Sequence, residues 1–418
     1  MMAGEVEVYV GIGGLDVLAG RLWTHRTRGR GSATFAYDPG YIGRAGAYEL
    51  DPELPLVTGS LQTPLGRPLF GAFADTAPDS WGRRLINRAE AAAAREQQRA
   101  RHTMSERDYL LGVRDDLRQG ALRYREPGDT RFLAPEDTGV PPVVELAVLL
   151  SAADALERDT ATSQQLRLLL RGGSSLGGAR PKAHVLDRQG RPAIAKFPST
   201  TTDEWDVNKW ESVALTLAKR AGITVADHEL HQVDAKPVLV VDRFDRALDG
   251  TRIGYISAMT LLSGTDGQQF DYTDLAGQIE QVSEAPTRDL QELWARSAYG
   301  RLISNTDDHL RNTGFLRGAS GWNLSPAFDL NPNPYPSTYA TAFAGDDEGS
   351  LAVLVENADL FRLTPKQAVA TLGRIAAAAR DWRQEAVRLG LPDMAVEAMA
   401  PAFDDTHAQR DAHAILDG

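Results

Sequence analysis

Three acidic and amide side chains in the last third of the chain have the types and spacing of a site that handles phosphate groups. Asp307 and Asn312 are five positions apart within the polar run 304–312, and Asp329 follows between apolar residues. In protein kinases, an Asp and an Asn at this spacing orient the substrate hydroxyl and hold magnesium, and a later Asp is a further magnesium ligand. The pattern therefore predicts Asp307 as a catalytic base and Asn312 and Asp329 as magnesium ligands. A capped turn is the alternative interpretation of each segment, because Asn and Asp favour turns and helix starts.

A glycine-rich segment and a lysine in an apolar strand precede these residues. Four glycines fall within residues 172–178, and Lys182 follows shortly after them. Glycines let main-chain N–H groups approach phosphate oxygens without obstruction by a Cβ atom. Lys196 lies in the apolar segment 194–198, where a cation does not serve packing but can reach a nucleotide phosphate, and Glu211 is a candidate ion-pair partner for it. A plain loop and an edge lysine with its ammonium in water are the alternative interpretations.

His309 lies in the same polar run as Asp307. We interpret it as a structural residue, because a single histidine without a second one nearby is a poor metal ligand, and we keep it among the nucleotide-binding candidates. Each of these features is a weak signal alone. In the order glycine-rich loop, lysine, Asp-x4-Asn and Asp, they supply a phosphate cradle, a cation, a base and two magnesium ligands, which is what phosphoryl transfer needs.

The elements that must position these residues are of mixed α and β type. Residues 5–50 predict a β-rich start with short strands at 32–37 and 48–50, and the Ala- and Arg-rich residues 79–125 predict helices. Further along the chain, helices are predicted at 162–171 and 205–221, strands at 183–186, 192–197, 228–233 and 237–244, and mostly helix from about residue 290 onwards. Strands followed by a helical half indicate an α+β fold in two lobes.

Composition narrows the function classes. The chain has 45 Lys and Arg against 57 Asp and Glu, and its net charge of −12 has the wrong sign for a free-standing DNA-binding protein. The absence of cysteine excludes disulfides, Cys-ligated zinc, iron–sulfur clusters and thiol catalysis. We expect a cytoplasmic protein without membrane contact, because the start does not resemble a signal peptide and the apolar stretches are far shorter than the ~20 residues that span a bilayer.

One segment departs from the acidic character of the chain. Residues 81–126 contain eleven Arg and seven acidic residues. A basic docking face for a nucleic acid or an acidic partner is one interpretation. A solvated helical face is the other, and the interleaved acidic residues favour it.

With these motifs in place, the sequence resembles the HipA family of bacterial toxin–antitoxin serine/threonine kinases. The resemblance covers essentially the whole chain and is carried by residues 75–80, 173–182, 196–198, 241–246, 305–312, 326–330 and 381–383. It implies a two-lobed, protein-kinase-like α+β fold of the HipA type with a β-rich N-terminal subdomain. The predicted divisions are a β-rich subdomain with a helical extension over 1–125, an N-lobe over 126–250 and a helical C-lobe over 251–418.

The resemblance implies ATP and Mg²⁺ as cofactors and assigns roles at matching positions. Lys196 and Asp307 are the implied catalytic residues, Asn312 and Asp329 the implied magnesium ligands, and residues 241–244 the implied hinge for adenine. The nucleotide-binding candidates are Ser174, Ser175, Leu176, Gly177, Gly178, Lys182, Lys196, Asp242, Arg243, Phe244, His309 and Asn312. Ser175 matches the loop serine that family members autophosphorylate, which expels the loop and inactivates the kinase. The roughly −2 charge of a phosphoserine would repel the phosphates of ATP.

The resemblance also implies partners. Family members usually pair with a small helix-turn-helix antitoxin, HipB-like, that binds DNA, so this chain would contact DNA mainly through that antitoxin. Characterised members phosphorylate aminoacyl-tRNA synthetases, which implies a protein substrate of this kind.

Two other functions are compatible with parts of the sequence. The chain could be a catalytically silent co-repressor that partners a DNA-binding antitoxin, although the intact catalytic residues favour the kinase. Residues 173–177 also match G-x-S-x-G, the nucleophile elbow of serine hydrolases, with Ser175 as the nucleophile. That motif requires a strand before the serine and a helix after it, whereas the pattern here predicts the reverse.

Overall fold

The computed structural model describes residues 4–27, 29–132, 140–173, 178–265, 267–335, 337–404 and 406–417. The chain folds into two compact units, each made of two stretches of sequence. The first unit comprises Met1–Thr202 and His231–Ile256, and the second comprises Asp203–Leu230 and Ser257–Gly418. The finer division after residues 125 and 250 stays a prediction. No helix in the described ranges is both long enough and apolar enough to cross a bilayer.

The elements are numbered in chain order. The first are β1 (Gly4–Ile12), β2 (Leu15–Thr27), β3 (Arg30–Tyr37), α1 (Pro39–Ile42), β4 (Ser60–Gln62), α2 (Gly71–Ala74), α3 (Ser80–Glu96), α4 (Glu106–Leu111), β5 (Leu122–Arg125), α5 (Leu146–Glu157), α6 (Ser163–Arg171), β6 (Lys182–Leu186) and β7 (Pro192–Lys196). They continue with α7 (Val207–Arg220), β8 (His228–Val233), β9 (Lys236–Asp242), β10 (Tyr255–Ser257), α8 (Ala258–Leu261), β11 (Phe270–Asp271), α9 (Tyr272–Val282), α10 (Pro286–Leu302), β12 (Gly314–Arg317), β13 (Trp322–Leu324), β14 (Thr341–Ala342), α11 (Leu351–Glu356), α12 (Pro365–Ala379), α13 (Trp382–Arg388), α14 (Asp393–Phe403) and α15 (His407–Asp417).

The predicted β-rich start is confirmed as an antiparallel sheet in the order β4-β3-β2-β1-β5. Val6, Val8 and Val10 are fully buried, as their alternation predicts. The prediction of helix up to residue 125 is wrong at its end, because Leu122–Arg125 form strand β5 and pair with β1. Leu122 and Tyr124 are buried while the arginines between and after them are less so, which is the two-residue period of a strand.

The predicted short strand at residues 48–50 is also wrong. The Tyr48 N–H donates to the hydroxyl of Tyr41 at 3.2 Å, and the Leu50 N–H donates to the hydroxyl of Tyr37 at 3.0 Å. Tyrosine hydroxyls therefore satisfy these main-chain groups in place of a neighbouring strand.

A second sheet, whose strands β6, β7 and β9 lie in the first unit, has the order β6-β7-β9-β8, which confirms the four strands predicted there. Helices α3, α5 and α6 share its core, in which Trp81, Leu149, Leu169, Val185 and Phe197 are almost completely buried. Helix α6 begins at a capping box between Thr162 and Gln165 and ends at Gly172. The sheet and this helix therefore hold the two ends of the glycine-rich segment.

The second unit is mostly helical and is built around α10. This helix buries Leu290, Trp294 and Tyr299 completely and packs against α9 and α12. Helix α7 packs against α12 and α13, and it is followed by Gly222 in the left-handed region at a φ of 82°. The predicted helix at 205–221 and the helical second half are thus confirmed. The antiparallel hairpin of β12 and β13 follows α10 and carries the remaining site segments.

Candidate functional site

The predicted catalytic loop begins where the buried helix α10 ends. Ser304 adopts the left-handed region with a φ of 50°, which is unusual for a residue with a side chain and turns the chain out of the helix. Asn305 is buried, its N–H donates to the Gly300 carbonyl at 2.8 Å, and its side-chain oxygen accepts from the Asn331 N–H at 3.1 Å. The loop is therefore held at its base by the core helix and by the segment that follows Asp329.

Asp307, Asn312 and Asp329 come together within the second unit. The Asn312 side-chain amide donates to the main-chain carbonyl of Asp307 at 3.0 Å. The negative charge of Asp329 acts on the Asp307 carboxyl group, so these two carboxylates lie within electrostatic reach of one another. The structure thus groups the three side chains that the spacing singled out, and their individual catalytic and metal-binding roles stay predictions.

The β12–β13 hairpin explains why Asn312 and Asp329 are near each other. Phe315 pairs with Leu324, and the Ser325 N–H donates to the Gly314 carbonyl at 2.8 Å. Residues just before β12 therefore lie beside residues just after β13. Asp329 itself adopts the left-handed region at a φ of 58°, a strained conformation that a supporting structure must impose and that clusters at functional sites.

Two acidic side chains pin this hairpin. The Glu284 carboxylate accepts from the N–H groups of Ser320 and Gly321 and from the Asn323 amide, and these hydrogen bonds lower the pKa of Glu284 to about 2. At the other end, Asp289 accepts from the Leu324 N–H at 3.1 Å. The hairpin is thus fixed at its turn and at the strand that leads to Asp329.

Electrostatics around Asp307 suit a carboxylate that must also take up a proton. Partial loss of hydration raises its pKa, His309 opposes this rise, and the charge of Asp329 adds to it, so that the net pKa is raised. The carboxylate remains 70% exposed, and the His309 Nε2 lies 3.7 Å from it. The buried Nδ1 of His309 has no hydrogen-bond partner in the described ranges. Asp307 is therefore accessible to a large substrate, and His309 keeps its place among the nucleotide-binding candidates.

Asp308 has a positioning role that the sequence patterns did not indicate. Its side chain accepts from the Tyr272 hydroxyl at 3.2 Å and from the Thr341 N–H at 3.1 Å, and its carbonyl accepts from the Thr341 hydroxyl at 2.7 Å. Burial raises its pKa to about 6 against the opposing charge of Arg301. Asp308 thus ties the loop to β14, and the doubled Asp in the motif was the one signal that could have indicated it.

The first unit holds the predicted phosphate-binding cations. Lys182 on β6 and Lys196 on β7 are paired directly across the antiparallel strands. Like charges in such a pair repel one another, so an anion beside them is stabilised. Gly178 has a φ of 91°, and a Cβ added there would lie 2.9 Å from the Lys182 Nζ. Glu211 is buried on α7, in the other unit, and its pairing with Lys196 stays a prediction.

The predicted hinge residues 241–244 span the end of β9, whose last residue is Asp242. The Asp242 carboxylate accepts from Arg191 at 3.1 Å. The side chain of Arg243 is buried, donates to both oxygens of Asp245 and donates to the Leu117 carbonyl at 2.6 Å. Its guanidinium therefore stabilises the first unit internally, and any nucleotide contact there would fall to main-chain atoms. The nucleotide-binding roles of Asp242, Arg243 and Phe244 stay predictions.

Ser174, Ser175, Leu176 and Gly177 lie outside the described residues, so their predicted roles stay predictions. The elements around them are described: helix α6 precedes the segment and strand β6 follows it. This order is the reverse of the strand–turn–helix that a serine-hydrolase elbow requires, and the hydrolase alternative fails on that ground.

The basic segment 81–126 does not present an open cationic face. Eight of its eleven arginines form ion pairs, namely Arg83 with Glu106, Arg84 and Arg88 with Asp159, Arg99 with Glu90, Arg107 with Glu126, Arg114 with Asp116, Arg123 with Asp115 and Asp16, and Arg125 with Glu7. Arg118 is buried and donates to main-chain carbonyls. Neighbouring acidic groups therefore pair with most of these arginines, which favours the solvated-face interpretation.

Comparison with known proteins shows the family and the fold of this chain. Residues 174–383, about half of the chain, match the family model of the HipA-like C-terminal domain. The HipA protein of Shewanella oneidensis MR-1, solved with HipB and its operator DNA, superposes with a TM-score of 0.65 at 16% identity and covers 99% of both chains, which confirms the predicted α+β, two-lobed HipA-type fold. "Putative kinase Y4mE" from Sinorhizobium fredii is 26% identical over 159 residues, and the chain spans about a third of its length. This chain belongs to the HipA family.

Proposed function

We propose that this protein is an ATP- and magnesium-dependent serine/threonine protein kinase and the toxin of a HipA/HipB-type toxin–antitoxin module. The observation that carries the proposal is the grouping of Asp307, Asn312 and Asp329 in the second unit. The Asn312 side-chain amide donates a hydrogen bond to the Asp307 main-chain carbonyl, and the charge of Asp329 acts on the Asp307 carboxyl group. Family membership and a curated relative named as a kinase support it.

In the proposed reaction, the hydroxyl oxygen of a protein Ser or Thr forms a bond to the γ-phosphorus of ATP while the bond to the β-phosphate oxygen breaks and ADP leaves. Asp307 accepts the hydroxyl proton, a role that suits its exposure and its raised pKa. Lys182 and Lys196 offer positive charge to the phosphates from neighbouring strands.

The residues present fit magnesium. Asp329 offers a carboxylate, and Asn312 offers an amide oxygen because its nitrogen already bonds to Asp307. These are the hard oxygen donors that Mg²⁺ prefers, usually with only one or two from the protein and the rest from phosphates and water. The described ranges contain no cluster of three or more His, Asp or Glu side chains that could hold a metal ion by themselves. The ion would neutralise phosphate charge during transfer.

A direct test is transfer of labelled γ-phosphate by the purified full-length chain with Mg²⁺. Asp307→Asn should lower the rate by roughly 10²–10⁴-fold while ATP binding is kept, because only the proton acceptor is lost. Asp359→Asn, an exposed carboxylate in the same unit, is the matched control and should retain full activity. A wild-type chain that neither labels a protein nor binds ATP would contradict the kinase and favour the silent co-repressor.

The proposal includes self-inactivation at Ser175. A phosphate on this serine would add negative charge to the proposed phosphate-binding loop and repel the phosphates of ATP. Phosphopeptide mapping of the wild type should place the label on Ser175, and Ser175→Ala should abolish that autophosphorylation. Undiminished autophosphorylation in Ser175→Ala would refute this part alone.

We further propose a small helix-turn-helix antitoxin as partner, with DNA contacted mainly through it, and an aminoacyl-tRNA synthetase as the protein substrate. The Shewanella relative was solved with HipB and its operator DNA, which supports the first point. The net charge of −12 and the neutralised basic segment support the view that this chain leaves most DNA contact to the partner. Co-purification with the product of a neighbouring helix-turn-helix gene tests the pairing.

A further inference from the structure

The last glycine of the glycine-rich segment is bonded to a helix start that lies 99 residues earlier in the chain. The Gly178 N–H donates to the Asp79 Oδ2 at 2.5 Å. In return, the Gly178 carbonyl accepts from the Ser80 hydroxyl at 3.3 Å and from the Trp81 N–H at 3.4 Å. Both main-chain groups of Gly178 are therefore held by the first turn of helix α3.

Asp79 bridges two elements with one carboxylate. It is the N-cap of α3, where its Oδ1 accepts from the Ser80 N–H at 2.8 Å, while its Oδ2 accepts from Gly178. A carboxylate at a helix N-terminus is stabilised by the helix dipole, and hydrogen bonds to a charged acceptor are stronger than neutral ones. Replacing the charge by an amide keeps a cap but cannot accept at both oxygens.

Trp81 extends this contact to the phosphate-binding lysine. Its indole Nε1 donates to the Lys182 carbonyl at 3.0 Å, and its ring is almost completely buried in the core that it shares with β6 and β7. The Lys182 ammonium in turn passes close to the Gly178 Cα, where a Cβ would lie 2.9 Å from it. The segment from Gly178 to Lys182 is thus fixed at both ends by α3.

The first turn of α3 is itself anchored. Arg83 donates to the Pro78 carbonyl at 2.9 Å and binds both oxygens of Glu106 on α4, at 2.9 and 2.6 Å. Its guanidinium also lies over the Tyr109 ring, 4.4 Å from the centroid. A bidentate pair of this kind restricts geometry. The start of α3 is therefore held in place and does not move easily if the glycine-rich segment is displaced.

We propose that Asp79 is a positioning residue of the proposed kinase, which holds Gly178 and Lys182 in place to receive the phosphates of ATP from a part of the chain outside the catalytic segments. The inference rests on the proposed function, since it assigns Gly178 and Lys182 to nucleotide binding. It goes further because it assigns to the motif at residues 75–80 a contribution to the affinity for ATP.

The test compares Asp79→Asn with the wild type in two independent measurements on the full chain. The first is amide hydrogen exchange of a peptide spanning residues 178–186 without nucleotide, in which we expect faster exchange in the variant. The second is phosphotransfer kinetics, in which KM for ATP should rise about tenfold while kcat stays near the wild-type value, since a hydrogen bond to a charged group of ~1.5 kcal/mol or more is lost.

Trp81→Phe is the second variant, because it removes the indole N–H and keeps most of the packing. It should raise KM for ATP by a smaller factor. Asp38→Asn, at the half-buried N-cap of α1 in the same unit, is the matched control and should change neither measurement.

Three results separate the possibilities. Unchanged hydrogen exchange in Asp79→Asn would refute the claim that Asp79 holds Gly178 in place. Faster exchange with an unchanged KM in an active enzyme would overturn its positioning role. A wild-type chain that binds no ATP would overturn the proposed function, and the exchange result would then decide on the bridge separately.

Discussion

The side-chain amide of Asn312 is bonded to the main-chain carbonyl of Asp307, at 3.0 Å. One residue therefore has two tasks: its nitrogen fixes the loop that carries the proposed base, and its oxygen is directed elsewhere as the proposed magnesium ligand. This relationship makes the effect of substitution at Asn312 depend on which atom is lost.

Asn312→Asp should separate the two tasks. The new carboxylate retains oxygen donors for Mg²⁺, whereas the hydrogen bond to Asp307 is lost, and a neutral hydrogen bond contributes roughly 0.5–1.5 kcal/mol. We expect kcat to fall about tenfold with little change in the Mg²⁺ concentration for half-maximal rate. Asn312→Ala loses both tasks and should also raise that concentration. Identical Mg²⁺ dependence of the Ala variant and the wild type would contradict the ligand assignment.

The hairpin that carries Asp329 should be sensitive to a single methyl group. A Cβ at Gly321 would lie 2.4 Å from the Val282 carbonyl oxygen, and this main-chain atom cannot easily move away. We expect Gly321→Ala to destabilise the protein by about 1–3 kcal/mol and to lower phosphotransfer, because the turn displaced is the one that Glu284 clamps. Chemical denaturation and labelling measure the two effects.

Gly277→Ala is the matched control for that experiment. Gly277 lies within helix α9, is exposed, and has nothing within 4 Å of an added Cβ. Alanine there should stabilise the helix by roughly 0.5–1 kcal/mol. Equal effects of the two substitutions would mean that the hairpin turn is not confined as described.

Asp51 should make the stability of the protein depend on pH. It is 1% exposed, and burial raises its pKa from 3.8 to about 6 despite the hydrogen bond from the Ala72 N–H. Between these values the folded protein holds a proton that the unfolded chain has released, so stability falls as the pH rises from about 4 to about 6. Asp51 contributes up to about 3 kcal/mol to this loss.

The measurement is the denaturation midpoint at pH 4.5 and pH 7.5. Asp51→Asn does not titrate, so its midpoint should change less between these pH values than the midpoint of the wild type. Asp129→Asn, an exposed side chain in the same unit, should behave as the wild type does. If wild type and Asp51→Asn had parallel pH profiles, Asp51 would not be the titrating group.

The protein alone should bind DNA weakly. Its net charge is −12, and the arginines of residues 81–126 are mostly paired with acidic neighbours. In a gel-shift experiment without an antitoxin, we expect no retarded band at micromolar protein and about 0.15 M salt. Strong binding that weakens steeply with salt would disprove the argument from charge.

Local patterns in the sequence were sufficient for the elements around the site. Short apolar runs predicted the two strands that follow the glycine-rich segment, and Gly222 marked the end of α7. The Asp-x4-Asn spacing, together with the later Asp329, picked out side chains that the structure groups. These signals are short-range, and short-range preferences are what a single sequence reveals.

The missed features depend on contacts between distant segments. β5 was assigned to a helix because its neighbours are rich in Ala and Arg, and its partner strand is more than a hundred residues away in sequence. Asp308, Glu284 and Asp79 each accept hydrogen bonds from segments at least 33 positions away. An Asp or Glu in a polar run has no periodicity that could indicate such a partner.

The chain passes between the two units at residues 202, 230 and 256, so neither unit is one uninterrupted stretch. During synthesis on the ribosome, the first unit lacks β9, and with it an inner strand of its second sheet, until residues beyond 242 have emerged. The second sheet is therefore incomplete at a stage when helix α7 of the other unit has already been synthesised. Cutting the gene at residue 202 would leave the first fragment without residues 231–256 of its own unit, whereas the second fragment would carry all of the second unit, so the first unit could be completed only by reassembly of the two fragments.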